Sequence, residues 1–272
     1  YDLRTQNKLT PVRDQGTCGD CWAYATYASL ESTLKTKETR DFSEAHLNDT
    51  HGFDFAWCAG GNLNMSTAVL ARWSGPGNDV DYPTPISSNT LGIAVQKHIQ
   101  DIDFLPVRTG FLDNDAVKAA ITAGSAIMVA VKWDDSYYKA ANKSFYGPNM
   151  GTINHAVTIV GWDDNFPASR FTIPAPGNGA FIVRNSWGSN WGEGGYFYLS
   201  YYDKTLQVWA AFNNAESTTN YVRAYEYDPL GLVTYFGDKV NTTAWFANIF
   251  TADAATNNIG AVSFYTPVSN ST

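Results

Sequence analysis

The feature that most constrains the fold of this chain is a single change of apolar period along its length. From Cys21 to about Lys37, Ala23, Tyr27, Leu30 and Leu34 step by four, three and four, which is one face of a helix. Ser43 can cap a short second helix through Leu47. Asn62 can cap a third that carries Leu63, Leu70 and Trp73, before Gly75-Pro76-Gly77 stops it. A fourth is predicted from Asp113 to Ala123, with Gly124 as its stop. Beyond it the period becomes that of strands: Ala126–Trp133, Ile153–Trp162, Ala180–Arg184, Tyr196–Tyr202 and Gln207–Phe212. A helical part followed by a strand-rich part predicts an α+β fold of two lobes, with a cleft between them.

At 272 residues with 44% hydrophobic content, the chain can bury a sizeable core. A net charge of −8 argues against nucleic acid as a partner, since phosphate binding needs clustered Lys and Arg. No apolar run reaches 18 residues, so no membrane span is expected. The polar run 213–220 reads as a linker, which divides the chain into residues 1–216 and 217–272. In the second part Tyr221–Tyr227, Thr242–Ala252 and Asn258–Thr266 are predicted strands. So short a segment is marginal as an independent domain, and it reads as a truncated β-sandwich.

The chemistry-bearing residues cluster in three segments. In Gln15-Gly16-Thr17-Cys18-Gly19-Asp20-Cys21-Trp22-Ala23, Cys21 opens the first helix, where backbone N–H groups and the helix dipole favour a thiolate. Gln15, six residues earlier, offers a side-chain amide donor. His155 heads the apolar run Ala156-Val157-Thr158-Ile159-Val160. Asn185-Ser186-Trp187-Gly188 follows the strand ending at Val183-Arg184.

In these three segments the chain resembles the papain family of cysteine peptidases. It departs from the family signature at Asp20, where Ser or Ala precedes the nucleophile. His155 lies 134 positions after Cys21 and Asn185 lies 164 after it. The added length falls in the Pro-, Gly- and Asn-rich loop from Asp163 to Gly179, which leaves the strand ends in place.

The resemblance implies a papain-like fold, a helical lobe and a β-barrel-like lobe, with a partial all-β extension at the C-terminus. It implies Cys21 as nucleophile, His155 as the proton-transferring base and Asn185 as its orienting group. Gln15 and the backbone N–H of Cys21 would form the oxyanion hole, and Trp187 would shield the His155–Asn185 contact from water. Gly60 and Gly61 would hydrogen-bond an extended peptide. Asn62, Leu63, Ala156 and Ala130 would line an apolar pocket for the second residue before the scissile bond. Cys58-Ala59-Gly60-Gly61 is similar to the family's Cys-x-Gly-Gly, which implies a Cys18–Cys58 disulfide and a free Cys21. Three unpaired core cysteines are the alternative.

That disulfide would imply an oxidising setting and a secreted or cell-surface protein. The sequons beginning at Asn48, Asn64, Asn142, Asn241 and Asn270 are compatible with secretion. Residue 1 opens no signal peptide and is similar to the start of a mature papain-like domain, separated from any inhibitory propeptide. The extension is similar to the lectin-like region that follows the peptidase in some microbial relatives, which implies a carbohydrate or cell-surface ligand.

The leading functional expectation is a cysteine endopeptidase acting on peptides or proteins, without metal or organic cofactor. The alternative is a catalytically silent papain-fold binding or adhesion protein. The Asp-rich turns at 134–135 and 163–165 lack the ligand spacing of a calcium loop and read as solvated turns. His46, His51 and His98 sit in polar contexts and are expected at the surface. For Asp20 two placements stay open, a carboxylate acting on the Cys21 thiol or one directed to solvent.

Overall fold

A computed structural model of the chain describes residues 1–83, 92–232, 247–252 and 258–262. Four helices come from the segments with helical period: α1 (Cys21–Leu34), α2 (Glu44–Thr50), α3 (Leu63–Ala71) and α4 (Asp115–Thr122). Ser43 Oγ accepts from the His46 N–H, and Asn62 Oδ1 accepts from the N–H groups of Asn64 and Met65, so both predicted caps form. α3 ends before Trp73, which sits in the left-handed region at φ 60 and so cannot continue the helix.

Among the described residues eight strands form one sheet: β1 (His98–Phe104), β2 (Ile127–Val131), β3 (Tyr138–Lys139), β4 (Ser144–Phe145), β5 (His155–Asp163), β6 (Ala180–Arg184), β7 (Tyr196–Ser200) and β8 (Gln207–Glu216). Their order is β1-β8-β2-β5-β6-β7-β4-β3, antiparallel except for the β4–β7 pair. The architecture is α+β, and the strand-rich lobe is one continuous sheet.

β1 has no counterpart among the sequence-predicted strands. Asp101 and Asp103 break its apolar run, and its pairing partner β8 lies more than a hundred residues further on, His98 opposite Glu216. Residues 221–227, predicted as a strand, are irregular, because their backbone groups meet no neighbouring strand among the described residues. The described parts of the next two predicted strands, 247–252 and 258–262, are irregular as well, and the rest of both lies outside the described residues.

α1 is the spine. The sequence shows one apolar face, yet from Trp22 to Leu34 every residue except Thr33 is buried. The helix lies between the helical lobe and the sheet, so its second face is covered too. Trp22, Leu30, Phe42, Leu63 and Val69 pack in one cluster with Met128, Ala156 and Phe212 of the sheet. The polar residues on that second face are bonded. Ser29 Oγ donates to the Ala126 carbonyl (2.6 Å) and accepts from the Phe212 N–H (3.0 Å), and Thr158 Oγ1 donates to the Ala25 carbonyl (3.2 Å). These bonds fix the register between helix and sheet, and therefore the place of Cys21 against β5.

His46, His51 and His98 are buried, contrary to the surface expectation. Local polarity did not reveal that each ring packs on an aromatic partner: His46 edge-on to Tyr82, His51 edge-on to Trp22, and His98 stacked on Trp73 at 3.7 Å. No helix among the described residues is long and apolar enough to cross a membrane.

Candidate active site

The loop before α1 is pinned at three points. A disulfide joins Cys18 to Cys58, with Cα atoms 4.7 Å apart, and Cys21 is the free cysteine. The Gly19 N–H donates to the Cys58 carbonyl at 3.2 Å. Gln15 reaches across to the other lobe: its backbone N–H donates to the Ser186 carbonyl at 2.8 Å, and its Oε1 accepts from Ser186 Oγ. Gln15 Nε2 donates to the Cys18 carbonyl at 2.6 Å, which leaves its second hydrogen for another acceptor. Ser186 was not singled out from the sequence, although it stands between Asn185 and Trp187.

Cys21 is the first residue of α1, half-buried, and its sulfur accepts from the Ala156 N–H at 3.4 Å. Ala156 follows His155, the first residue of β5, so it is the start of that strand that meets the sulfur. His155 Nε2 bonds Asn185 Oδ1 at 2.8 Å. That oxygen can only accept, so Nε2 carries the hydrogen and Nδ1 is the nitrogen open to a proton. Asn185 Oδ1 also accepts from the Ser186 N–H at 2.9 Å, which holds the amide. The Trp187 indole stacks on the imidazole at 4.8 Å and 18°.

Burial governs the proton affinities. It pushes the His155 imidazole down to about 4, against the bond from Asn185. It pushes the Cys21 thiol up, with the charge of Asp20 adding to the rise and the Ala156 N–H opposing it. Either charge alone is disfavoured in this setting.

Asp20 is wholly buried, which excludes the solvent-directed placement. It precedes α1 at the N-cap position, yet its side chain makes no cap bond, and neither carboxylate oxygen has a hydrogen-bond partner among the described residues. Burial pushes its carboxyl up to about 6.

The remaining predicted residues gather on the same side. Gly60 has φ +103, and a Cβ on Gly61 would stand 2.3 Å from the Trp22 indole, so both positions require glycine. Leu63 and Ala156 are buried in the cluster against which Cys21 packs, and Ala130 is the cross-strand partner of Ala156. Asn62 is spent on capping α3.

A family model described as "Papain family cysteine protease" matches residues 1–215, and one described as "Lectin like domain" matches residues 224–272. A viral cathepsin of Lymantria dispar multicapsid nuclear polyhedrosis virus is 32% identical over 205 residues, 72% of this chain and 52% of its own length. Cathepsin F of Drosophila melanogaster is 27% identical over 215 residues, 76% of this chain and 34% of its own length. The chain thus spans about half or less of these relatives. Among solved structures, Cwp84, a surface layer associated protein of Clostridium difficile, superposes with a TM-score of 0.71 at 27% identity after propeptide cleavage, over 80% of this chain and 58% of that one. Bromelain of Ananas comosus superposes with a TM-score of 0.59 at 28% identity, over 75% of this chain and 90% of that one.

Proposed function

The chain belongs to the papain family of cysteine proteases, and from that premise we propose that it is a cysteine endopeptidase with Cys21, His155 and Asn185 as its reacting and orienting groups. The observation that carries this reading is the convergence of two bonds on adjacent residues. Ala156 N–H meets the Cys21 sulfur while His155 Nε2 meets Asn185. The Cys21 thiolate adds to the peptide carbonyl carbon, and the oxyanion is taken by the Gln15 amide and the Cys21 N–H. The imidazolium gives its proton to the departing amine as the C–N bond breaks and a thioester remains. Water, deprotonated by the same imidazole, hydrolyses the thioester and restores the thiol. Trp187 keeps bulk water off the His155–Asn185 bond.

Substrates bind as extended strands along Gly60–Gly61, with an apolar side chain over Leu63 and Ala156. The peptidase unit takes residues 1–216 and the lectin-like extension begins at 217. A carbohydrate or cell-surface ligand for that extension, inhibition by a propeptide and an extracytoplasmic location belong to the same reading. The disulfide and the likeness to a surface layer associated protein support the location. The second reading, a silent binding protein, draws on the raised Cys21 thiol beside buried Asp20. Hydrolysis of a peptide library, abolished by iodoacetamide and by Cys21→Ala, is the expected result. Turnover that survives Cys21→Ala overturns the assignment, and no turnover with an unreactive thiol selects the silent reading.

A further inference from the structure

Trp133 follows β2, and its side chain and backbone converge on His155 from two directions. Its indole stands edge-to-face with the His155 ring (6.1 Å, 75°) and with Trp187 (5.0 Å, 89°), the ring stacked on that imidazole. The indole is itself fixed: it stacks on Phe145 at 4.5 Å and 14°, meets Trp191 and Phe197 at steep angles, and donates Nε1–H to Asp135 Oδ1 at 2.8 Å. Its backbone is clamped to the residue before His155. The Trp133 N–H donates to Asn154 Oδ1 (2.7 Å), Asn154 Nδ2 donates back to the Trp133 carbonyl (3.1 Å), and the Asn154 N–H donates to the Val131 carbonyl (3.0 Å).

We propose that Trp133 is a positioning residue for the proton-transferring histidine, setting the backbone of His155 through Asn154 and the plane of its ring through Trp187. The proposal rests on the reading of Cys21 and His155 as the reacting pair. Asn185 fixes one ring nitrogen and so leaves rotation about the Nε2···Oδ1 axis open. Trp187 restricts that rotation only if Trp187 is held, and the perpendicular rings of Trp133 (5.0 Å) and Trp191 (5.0 Å) lie against it; of the two, only Trp133 also meets the His155 ring and clamps Asn154. An imidazolium held in plane stabilises the thiolate, which separates the two pH limbs of reactivity; a loosely held ring brings them together.

The test uses three variants of the whole chain: Trp133→Ala, Trp133→Phe, and Asn154→Ala, which cuts the clamp and keeps the indole. Each is assayed for kcat and KM on a peptide substrate and for the pH dependence of iodoacetamide alkylation. In Trp133→Ala, kcat should fall roughly ten- to a hundredfold with KM little changed. Its thiolate-forming limb should move up in pH and its imidazolium-losing limb down. Asn154→Ala should narrow the profile in the same sense, and Trp133→Phe should restore most of both. A wild-type chain with no alkylation-sensitive turnover overturns the underlying reading of the site. An active wild type whose limbs stay in place in Trp133→Ala and Asn154→Ala, whatever the loss of folded protein, overturns the role of Trp133.

Discussion

Asp20 shows how much one residue can depend on its surroundings. Its position beside Cys21 is a fact of sequence, but its burial with neither oxygen partnered among the described residues is a fact of packing. Held up to about 6, its carboxyl is neutral in mild acid and charged at neutral pH, where it opposes the thiolate next to it. Asp20→Ser removes both the buried charge and the repulsion. We expect the acid limb of Cys21 alkylation to move to lower pH, and stability at pH 7.5 to rise by about 1–3 kcal/mol. The gain should shrink below pH 5, where the native carboxyl is protonated. Urea melts at the two pH values check this, and an unchanged alkylation limb would refute the electrostatic part. Gly61 is the converse case, since glycine there was legible as a motif but its necessity comes from the Trp22 ring beneath it.

At the scale of elements, the disulfide and the caps hold the parts that carry the site. Cys18–Cys58 closes a loop of 40 residues that includes all of α1 and α2. Replacing both cysteines by Ser should cost about 3–4 kcal/mol, read as a lower denaturant midpoint. Because the Cys58 carbonyl also receives the Gly19 N–H, the same variant should raise KM by loosening Gly60–Gly61 against the Cys21 loop. A variant as stable as the parent would remove the bridge from this account. The helices and central strands were legible because their periods and caps are local. β1 was not, because alternating Asp101, Ile102 and Asp103 resemble a solvated loop until β8 supplies the partner. The irregular course of 221–227 is the reverse error, a strand-like composition that meets no ladder among the described residues.

Across the whole molecule, α1 and α2 pack between and against the lobes at the cost of burying one acid each. Burial pushes Glu31 up to about 7 and Glu44 up to about 8, against the nearby Arg184 and Arg13. Both hold a proton in the folded chain to a higher pH than in the unfolded one, near 4.3. Their contribution to stability is full below that value and is lost as pH rises through about 7 and 8. The buried histidines act oppositely. His46, His51, His98 and His155 lie below the ordinary value, so their contribution is full above about 6.5 and is lost in acid. Of these groups only the carboxyls change from about 6.5 to 8, and stability should fall across that window. Urea midpoints at pH 6.5 and 8.5 measure it, and a flat or rising midpoint would contradict the burial of these acids.

The sequence by itself determined the residue types and their order along the chain: a cysteine at a helix start, a histidine at a strand start, an asparagine after the next strand, and the glycines and caps. These are decided by local chemistry, because caps, turns and periods involve residues a few positions apart. Only the tertiary structure decided what those residues face. It placed Ala156 N–H on the Cys21 sulfur, Ser186 on Gln15, Trp133 against Trp187, and Asp20 out of water. Such contacts join positions tens to more than a hundred residues apart, or turn on burial, and neither leaves a period or a spacing to be read.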